Sequence, residues 1–193
     1  MKSTRLWWVR HGPTHEKAFT GWRDVPADLS DTGKLARLHD YLPSGAALVS
    51  SDLQRARHTA DVIETGRIRL PHDPDFRELD FGVWDGLHFS AVDEMHPDLS
   101  RAYWETPGDV KPPEGESWNE LHARLTPKVD ALHRSRHDDV VIVAHMGVIM
   151  SQLQRALGVT AYQAMSHQIE PLSVTRIDIS QDGWRVEVIN HQP

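Results

Sequence analysis

Leu6-Trp7-Trp8-Val9-Arg10-His11-Gly12-Pro13-Thr14 is the stretch that decides how this chain folds. Residues 6–9 are an apolar run of strand rather than helix length, and the run stops at a guanidinium, an imidazole and a Gly-Pro loop. A buried strand that delivers polar side chains to the rim of a sheet ends in this way. Gly12 lets a ligand come close to the backbone, and free N–H groups in such a loop can hold an oxyanion. By itself the segment fits a capping histidine beside a surface arginine equally well.

Two other segments repeat the arrangement. Residues 140–144, Val-Val-Ile-Val-Ala, end in His145-Met146-Gly147, and residues 47–50 lead into Ser51-Asp52-Leu53-Gln54-Arg55. In the latter a well-capped helix is expected to begin and to turn Arg55 back toward the strand end. A solvated arginine on an amphipathic helix is the plainer alternative, and it suits Arg57 better than Arg55. Residues 173–179 and 184–190 read as further strands joined by a turn at Gln181-Asp182-Gly183, with 68–70 a weaker sixth. Helical runs lie at 31–41, 53–64, 116–136 and 148–157, with Pro127 a bend or boundary in the third. A shorter helical stretch covers 91–104, and the Pro- and Gly-rich residues 105–117 read as a surface loop placed to fold over the pocket. Alternation of strand and helix predicts an α/β fold: a three-layer α/β/α sandwich whose mostly parallel sheet has an antiparallel edge. In such sheets ligands bind at the carboxyl ends of the strands. Three of those ends deliver Arg10-His11, Arg55 and His145 to one rim.

Composition narrows the chemistry. With 193 residues, 39% hydrophobic and 25% charged, one domain over residues 1–193 is expected. The absence of cysteine excludes disulfide scaffolds, thiolate nucleophiles and Cys-ligated zinc. A net charge of −7 without a basic run argues against nucleic-acid or membrane partners. Residues 1–9 offer neither a signal-peptide core nor a membrane span, so the cytoplasm is the expected location. His15-Glu16 follows His11 at helical spacing, but Pro13 opposes a helix and no acidic cluster accompanies it, so no metal site is read there. No cofactor is implied, and a homodimer through sheet edges or helices leaves no mark in the sequence.

Six linked segments carry a resemblance. Besides Arg10-His11-Gly12-x-Thr14, the chain contains Phe19-Thr20-Gly21-Trp22-x-Asp24-Val25-Pro26 with Leu29-Ser30-x-x-Gly33, then Ser51-Asp52-Leu53-x-Arg55-Ala56-x-x-Thr59-Ala60. Arg77-Glu78-Leu79-Asp80-Phe81-Gly82-x-Trp84-x-Gly86 follows, then Glu114-Gly115-Glu116-Ser117 and Ala144-His145-x-Gly147. In content and order they resemble the histidine phosphatase superfamily, the phosphoglycerate mutase-like proteins.

The resemblance implies His11 as nucleophile, Arg10, Arg55 and His145 as phosphate-binding groups, and Glu78 as proton donor, with His11, Glu78 and His145 the catalytic set. For Glu78 the residues alone suggest a surface ion pair with Arg77. Where many relatives carry Asn, this chain has Lys17, which would suit an extra anionic group on the substrate; Met146 replaces a small residue. Phe81 and Phe89 stand where the mutases carry Tyr and Lys, so the chain looks more like the small phosphatases, alpha-ribazole phosphatase among them. The expected substrate is a small phosphorylated metabolite, alpha-ribazole 5'-phosphate being one candidate. A phosphoglycerate mutase and a non-catalytic phosphate-binding regulator are the alternatives. Specificity is assigned to Lys17 and Arg23, to Trp22, Trp84, Trp104 and Trp118, and to the 105–117 loop, although a solvated lysine and tryptophans of the core fit the sequence equally well.

Overall fold

The computed structural model describes residues 3–193; Met1 and Lys2, part of the N-terminal reading, lie outside the described residues. In chain order the elements are β1 (Thr4–Arg10), α1 (Thr32–Tyr41), β2 (Ala47–Ser50), α2 (Gln54–Val62), β3 (Ile68–Arg69), α3 (Phe89–Met95) and α4 (Pro97–Glu105). Then follow α5 (Trp118–Arg134), β4 (Asp139–Ala144), α6 (Met146–Leu157), α7 (Ala161–Met165), β5 (Val174–Ser180) and β6 (Gly183–His191). The strands form one sheet in the order β3-β2-β4-β1-β5-β6. The pairings from β3 to β1 are parallel, whereas β5 and β6 are added antiparallel, as the α/β/α reading with its antiparallel edge requires.

Alternation along each central strand supplies both cores. Leu6, Trp8, Val140 and Ile142 face Leu121, Leu125, Val148 and Leu153 of α5 and α6. Val9, Leu48, Val141 and Val143 face Leu35 and Leu38 of α1 and Ala56 and Ala60 of α2. Strands buried on both faces read as continuous apolar runs, which is why 140–144 carries no polar residue.

Three local expectations need correction. Pro127 neither ends nor bounds α5, which runs through it. Pro127 and Ala123, whose carbonyl loses its partner, both face solvent, while Leu125 and Val129 hold the helix on the core. The helix expected over 91–104 is two helices, broken at His96-Pro97, where Pro97 starts α4. Finally, α2 has no side-chain cap of its own: Leu53 is its N-cap, and the Gln54 amide donates instead to Asp24 Oδ1 at 2.7 Å from a distant loop.

Candidate active site

Strand register assembles the site. Arg10 of β1 sits opposite Ala144 of β4, so the next residues, His11 and His145, leave the sheet side by side. The His11 amide donates to the Ala144 carbonyl at 3.1 Å, and the two imidazoles lie 5.0 Å apart at 60°. On the other side of β4, Ser50 of β2 pairs with Val143, which sets α2 and Arg55 against the same rim.

His11 is buried, and its Nδ1 lies 2.7 Å from the Gly12 carbonyl. A carbonyl only accepts, so Nδ1 carries the proton and Nε2 keeps its lone pair. Burial, with Arg55 adding to it, pushes the imidazole pKa well below its ordinary value and keeps the ring neutral. Gly12 is fixed by its amide, which donates to Thr59 Oγ1 at 3.0 Å; a Cβ on Gly12 would meet Leu29 Cδ2 at 2.6 Å.

Arg55 is fully buried and donates from Nη1 to Arg23 O at 2.9 Å and from Nη2 to Gly21 O at 2.6 Å. Its Nε has no protein partner, nor does Arg10 Nε, nor either ring nitrogen of the fully buried His145. A buried polar atom without a partner calls for an explanation, and these belong to side chains gathered about the His11 imidazole. Burial also lowers the His145 pKa strongly, Arg55 again contributing.

Glu78 is buried, unlike the surface pair that its neighbour suggests: Arg77 pairs with Asp52 at 2.6 Å instead. The carboxylate accepts the Gly147 amide at 3.1 and 3.2 Å on its two oxygens, and the Leu79 amide at 3.0 Å. A Cβ on Gly147 would overlap Glu78 Oε1, so glycine is needed there. Burial raises the Glu78 pKa against the opposing pull of those amides and of Arg55 and Arg10.

Arg10, His11, Arg55 and Glu78 line a cavity of about 240 Å³ together with Lys17, and Phe19, Phe81, Phe89, Trp104 and Met146 form its other wall. Lys17 is exposed and unpartnered among the described residues. Arg23 is not on the wall; its guanidinium binds Glu16, which is, at 2.7 Å, and lies 3.8 Å from Asp85. Of the four tryptophans, Trp84 and Trp118 are core, Trp22 donates to the Glu78 carbonyl at 2.7 Å, and Trp104 reaches the cavity. The 105–117 loop does not cover the pocket. It braces the turn after Glu78 from outside, with Val83 N–H donating to Pro113 O and Glu116 N–H to Asp80 O.

Several contributors escape the sequence. Asp85 accepts the Gly21 amide at 3.1 Å and the Arg23 amide at 2.8 Å, clamping the two carbonyls that orient Arg55. Its position between Trp84 and Gly86 was the one available signal. Arg124, mid-way along α5, donates to the carbonyls of Arg77 at 2.8 Å and Glu78 at 2.9 Å while paired with Glu116 at 2.7 Å, and nothing in its local sequence marks it. Among the described residues no group of three or more His, Cys, Asp or Glu could hold a metal ion, and no helix is long and apolar enough to cross a membrane.

The sequence model of the histidine phosphatase superfamily, branch 1, matches residues 6–192. The chain belongs to this superfamily. Among its relatives, the adenosylcobalamin/alpha-ribazole phosphatase of Salmonella typhimurium (strain LT2) is 30% identical over 195 residues, covering 96% of each chain. Of solved structures, mycobacterial hydrolase 1 superposes with a TM-score of 0.87 at 27% identity, covering 100% of both chains. Mycobacterial glucosyl-3-phosphoglycerate phosphatase gives a TM-score of 0.83 at 26% identity, over 98% of this chain and 100% of that one. This histidine phosphatase is accordingly an enzyme of the phosphatase class.

Proposed function

We propose that the protein hydrolyses a small phosphomonoester by way of a phosphohistidine on His11, without a metal ion. The observation that carries the reading is the His11 tautomer: with Nδ1–H given to the Gly12 carbonyl, Nε2 is free to attack. A phosphate dianion repels nucleophiles, and Arg10, Arg55 and the donating imidazole of His145 neutralise it through their unpartnered N–H groups.

The His11 Nε2 lone pair forms the P–N bond as the ester P–O bond breaks. Neutral Glu78 gives its proton to the departing alkoxide. The resulting imidazolium keeps its Nδ1–H on Gly12 O, which spreads the positive charge. Glu78, now a carboxylate, takes a proton from water as that water attacks phosphorus; the P–N bond breaks, and phosphate and neutral His11 are regenerated. A carboxyl whose pKa is raised by burial suits both tasks.

The substrate is read as a small phosphorylated metabolite, for which a cavity of about 240 Å³ is suited. Alpha-ribazole 5'-phosphate is one candidate, supported by the Salmonella relative. Lys17 takes any further anionic group, and Arg23 contributes at one remove by holding Glu16. The expected setting is the cytoplasm and the expected unit a single domain. Acid-quenched mass spectrometry of wild type and His11→Ala, turning over p-nitrophenyl phosphate in EDTA, tests the mechanism. A phosphoryl adduct on His11, and loss of turnover in the variant, are expected; chelator-sensitive turnover that survives the substitution would overturn it. Interconversion of 3- and 2-phosphoglycerate, primed with 2,3-bisphosphoglycerate, would favour a mutase.

A further inference from the structure

The proposed chemistry uses one wall of the cavity and gives the other no task. On that second wall Phe19 belongs to a satellite core with Trp84 and Tyr103, against which Phe81 packs. Phe89, Trp104 and Met146 are different: 48%, 39% and 39% of their surfaces remain exposed. Large apolar side chains scattered singly over a surface carry no message, but three converging on a reaction cavity make a face that a ligand can cover. They come from α3, α4 and the first residue of α6, and Met146 directly follows His145. The apolar face therefore begins beside the phosphate end.

Its geometry favours a flat ring. Phe19 is the hub, with Phe89 at 4.4 Å and 59°, Phe81 at 4.9 Å and 63°, and Trp104 at 6.1 Å and 22°. Edge-to-face and offset arrangements of this kind extend to one more ring with a gain beyond area burial, and Met146 on the same wall offers such a ring a polarisable thioether. In the proposed mechanism the same cavity receives the phosphoryl group, so a ring seated on this face lies close to the ester oxygen.

We infer that the ester cleaved here carries an aromatic ring on its leaving-alcohol side, within a short linker of the ester oxygen, seated against Phe89, Trp104 and Met146. The inference rests on the phosphatase reading, since this wall can only sort esters that His11 turns over.

The test compares kcat/KM for 2-phenylethyl phosphate, 2-cyclohexylethyl phosphate and ribose 5-phosphate, all primary alkyl esters. Wild type should prefer the phenylethyl ester over ribose 5-phosphate by about 10-fold or more, the scale on which apolar pockets discriminate. It should prefer phenylethyl over cyclohexylethyl by about 2- to 10-fold. In Trp104→Ala and Phe89→Ala the phenylethyl-to-ribose ratio should collapse toward one, and Trp104→Phe should restore much of it. A wild-type ratio near one, equal use of the two apolar esters, or variants that lower all three esters in proportion would overturn the inference while leaving the mechanism intact. No turnover of any ester, with no adduct on His11, would overturn the underlying reading and this inference with it.

Discussion

The two walls of the cavity are built on opposite plans. Of the phosphate wall, Arg10, His11, Arg55 and His145 stand at or just beyond the ends of β1, β2 and β4, with Glu78 brought in from the β3–α3 connection, and backbone groups aim three of these side chains: Gly12 O for His11, Gly21 O and Arg23 O for Arg55, Gly147 N–H for Glu78. The outer side chains of the aromatic wall stand on α3, α4 and the start of α6 and remain over a third exposed, Phe89 and Trp104 resting on the Phe19 ring. In the proposed mechanism the chemistry common to all phosphate esters falls mainly to strand ends, while the part that would meet the variable half of a substrate lies mostly on α3 and α4.

The contrast can be broken at the phosphate wall first. His11→Ala should lower kcat/KM by about 10⁴-fold or more for every ester alike, as loss of a nucleophile does; a loss confined to aromatic esters would erase the division of labour. Glu78→Gln should cost about 10²- to 10⁴-fold in kcat on alkyl phosphates and far less on p-nitrophenyl phosphate, whose leaving group needs no proton. The pH profile carries the same information. In the proposed mechanism neutral Glu78 is the acid, and burial raises its pKa, so kcat/KM, corrected for the ester's own ionisation, should fall as pH rises through that value. That limb should vanish in Glu78→Gln.

Asp85→Ala sharpens the comparison, because it removes a residue that touches neither phosphate nor ring. Releasing the Gly21 and Arg23 amides should misaim Arg55 and raise both KM and the inhibition constant of inorganic phosphate by about 10- to 100-fold. Preference among esters should stay as it was; a shift in preference would mean that Asp85 serves the aromatic wall.

The smallest effect concerns stability. His11 and His145 have folded pKa values below the unfolded value of about 6.5. Below that pH the unfolded chain binds protons that the folded chain does not, so stability should fall as pH drops from 7.5 to 5, by up to about 1.4 kcal/mol per pH unit for each histidine. Glu78 works in the opposite sense: its raised pKa makes its contribution complete at low pH and lost as pH rises from the unfolded value through the folded one. Urea unfolding of wild type, His145→Gln and Glu78→Gln at both pH values separates the two.

How much of this could be read from the chain follows the same division. The placement of Arg10-His11 and His145 at one rim was legible because each adjoins the apolar run that carries it, and that of Arg55 because it opens the helix that follows such a run. Glu78 needed the family resemblance, since its local partner Arg77 turns to Asp52 once folded. Asp85 and Arg124 act on groups far from them in sequence, and no periodicity or spacing encodes such meetings; Trp104 is one of four tryptophans assigned to specificity, but nothing in the sequence tells it from Trp84 and Trp118, which are core. The 105–117 loop misled for the same reason. Its composition announces a surface loop, but only the packed structure shows that it faces the back of the Asp80–Val83 turn.

Gly147 offers a way to watch the proton that the reaction turns on. Its N–H is one of the free donors at the start of α6, and it points at both oxygens of Glu78. The amide resonance of a glycine so placed moves when its acceptor changes charge. A ¹⁵N-labelled sample titrated in a spectrometer would then report the ionisation of the acid directly, in the resting enzyme and again with a phosphate analogue bound, with no turnover and no substitution at the site.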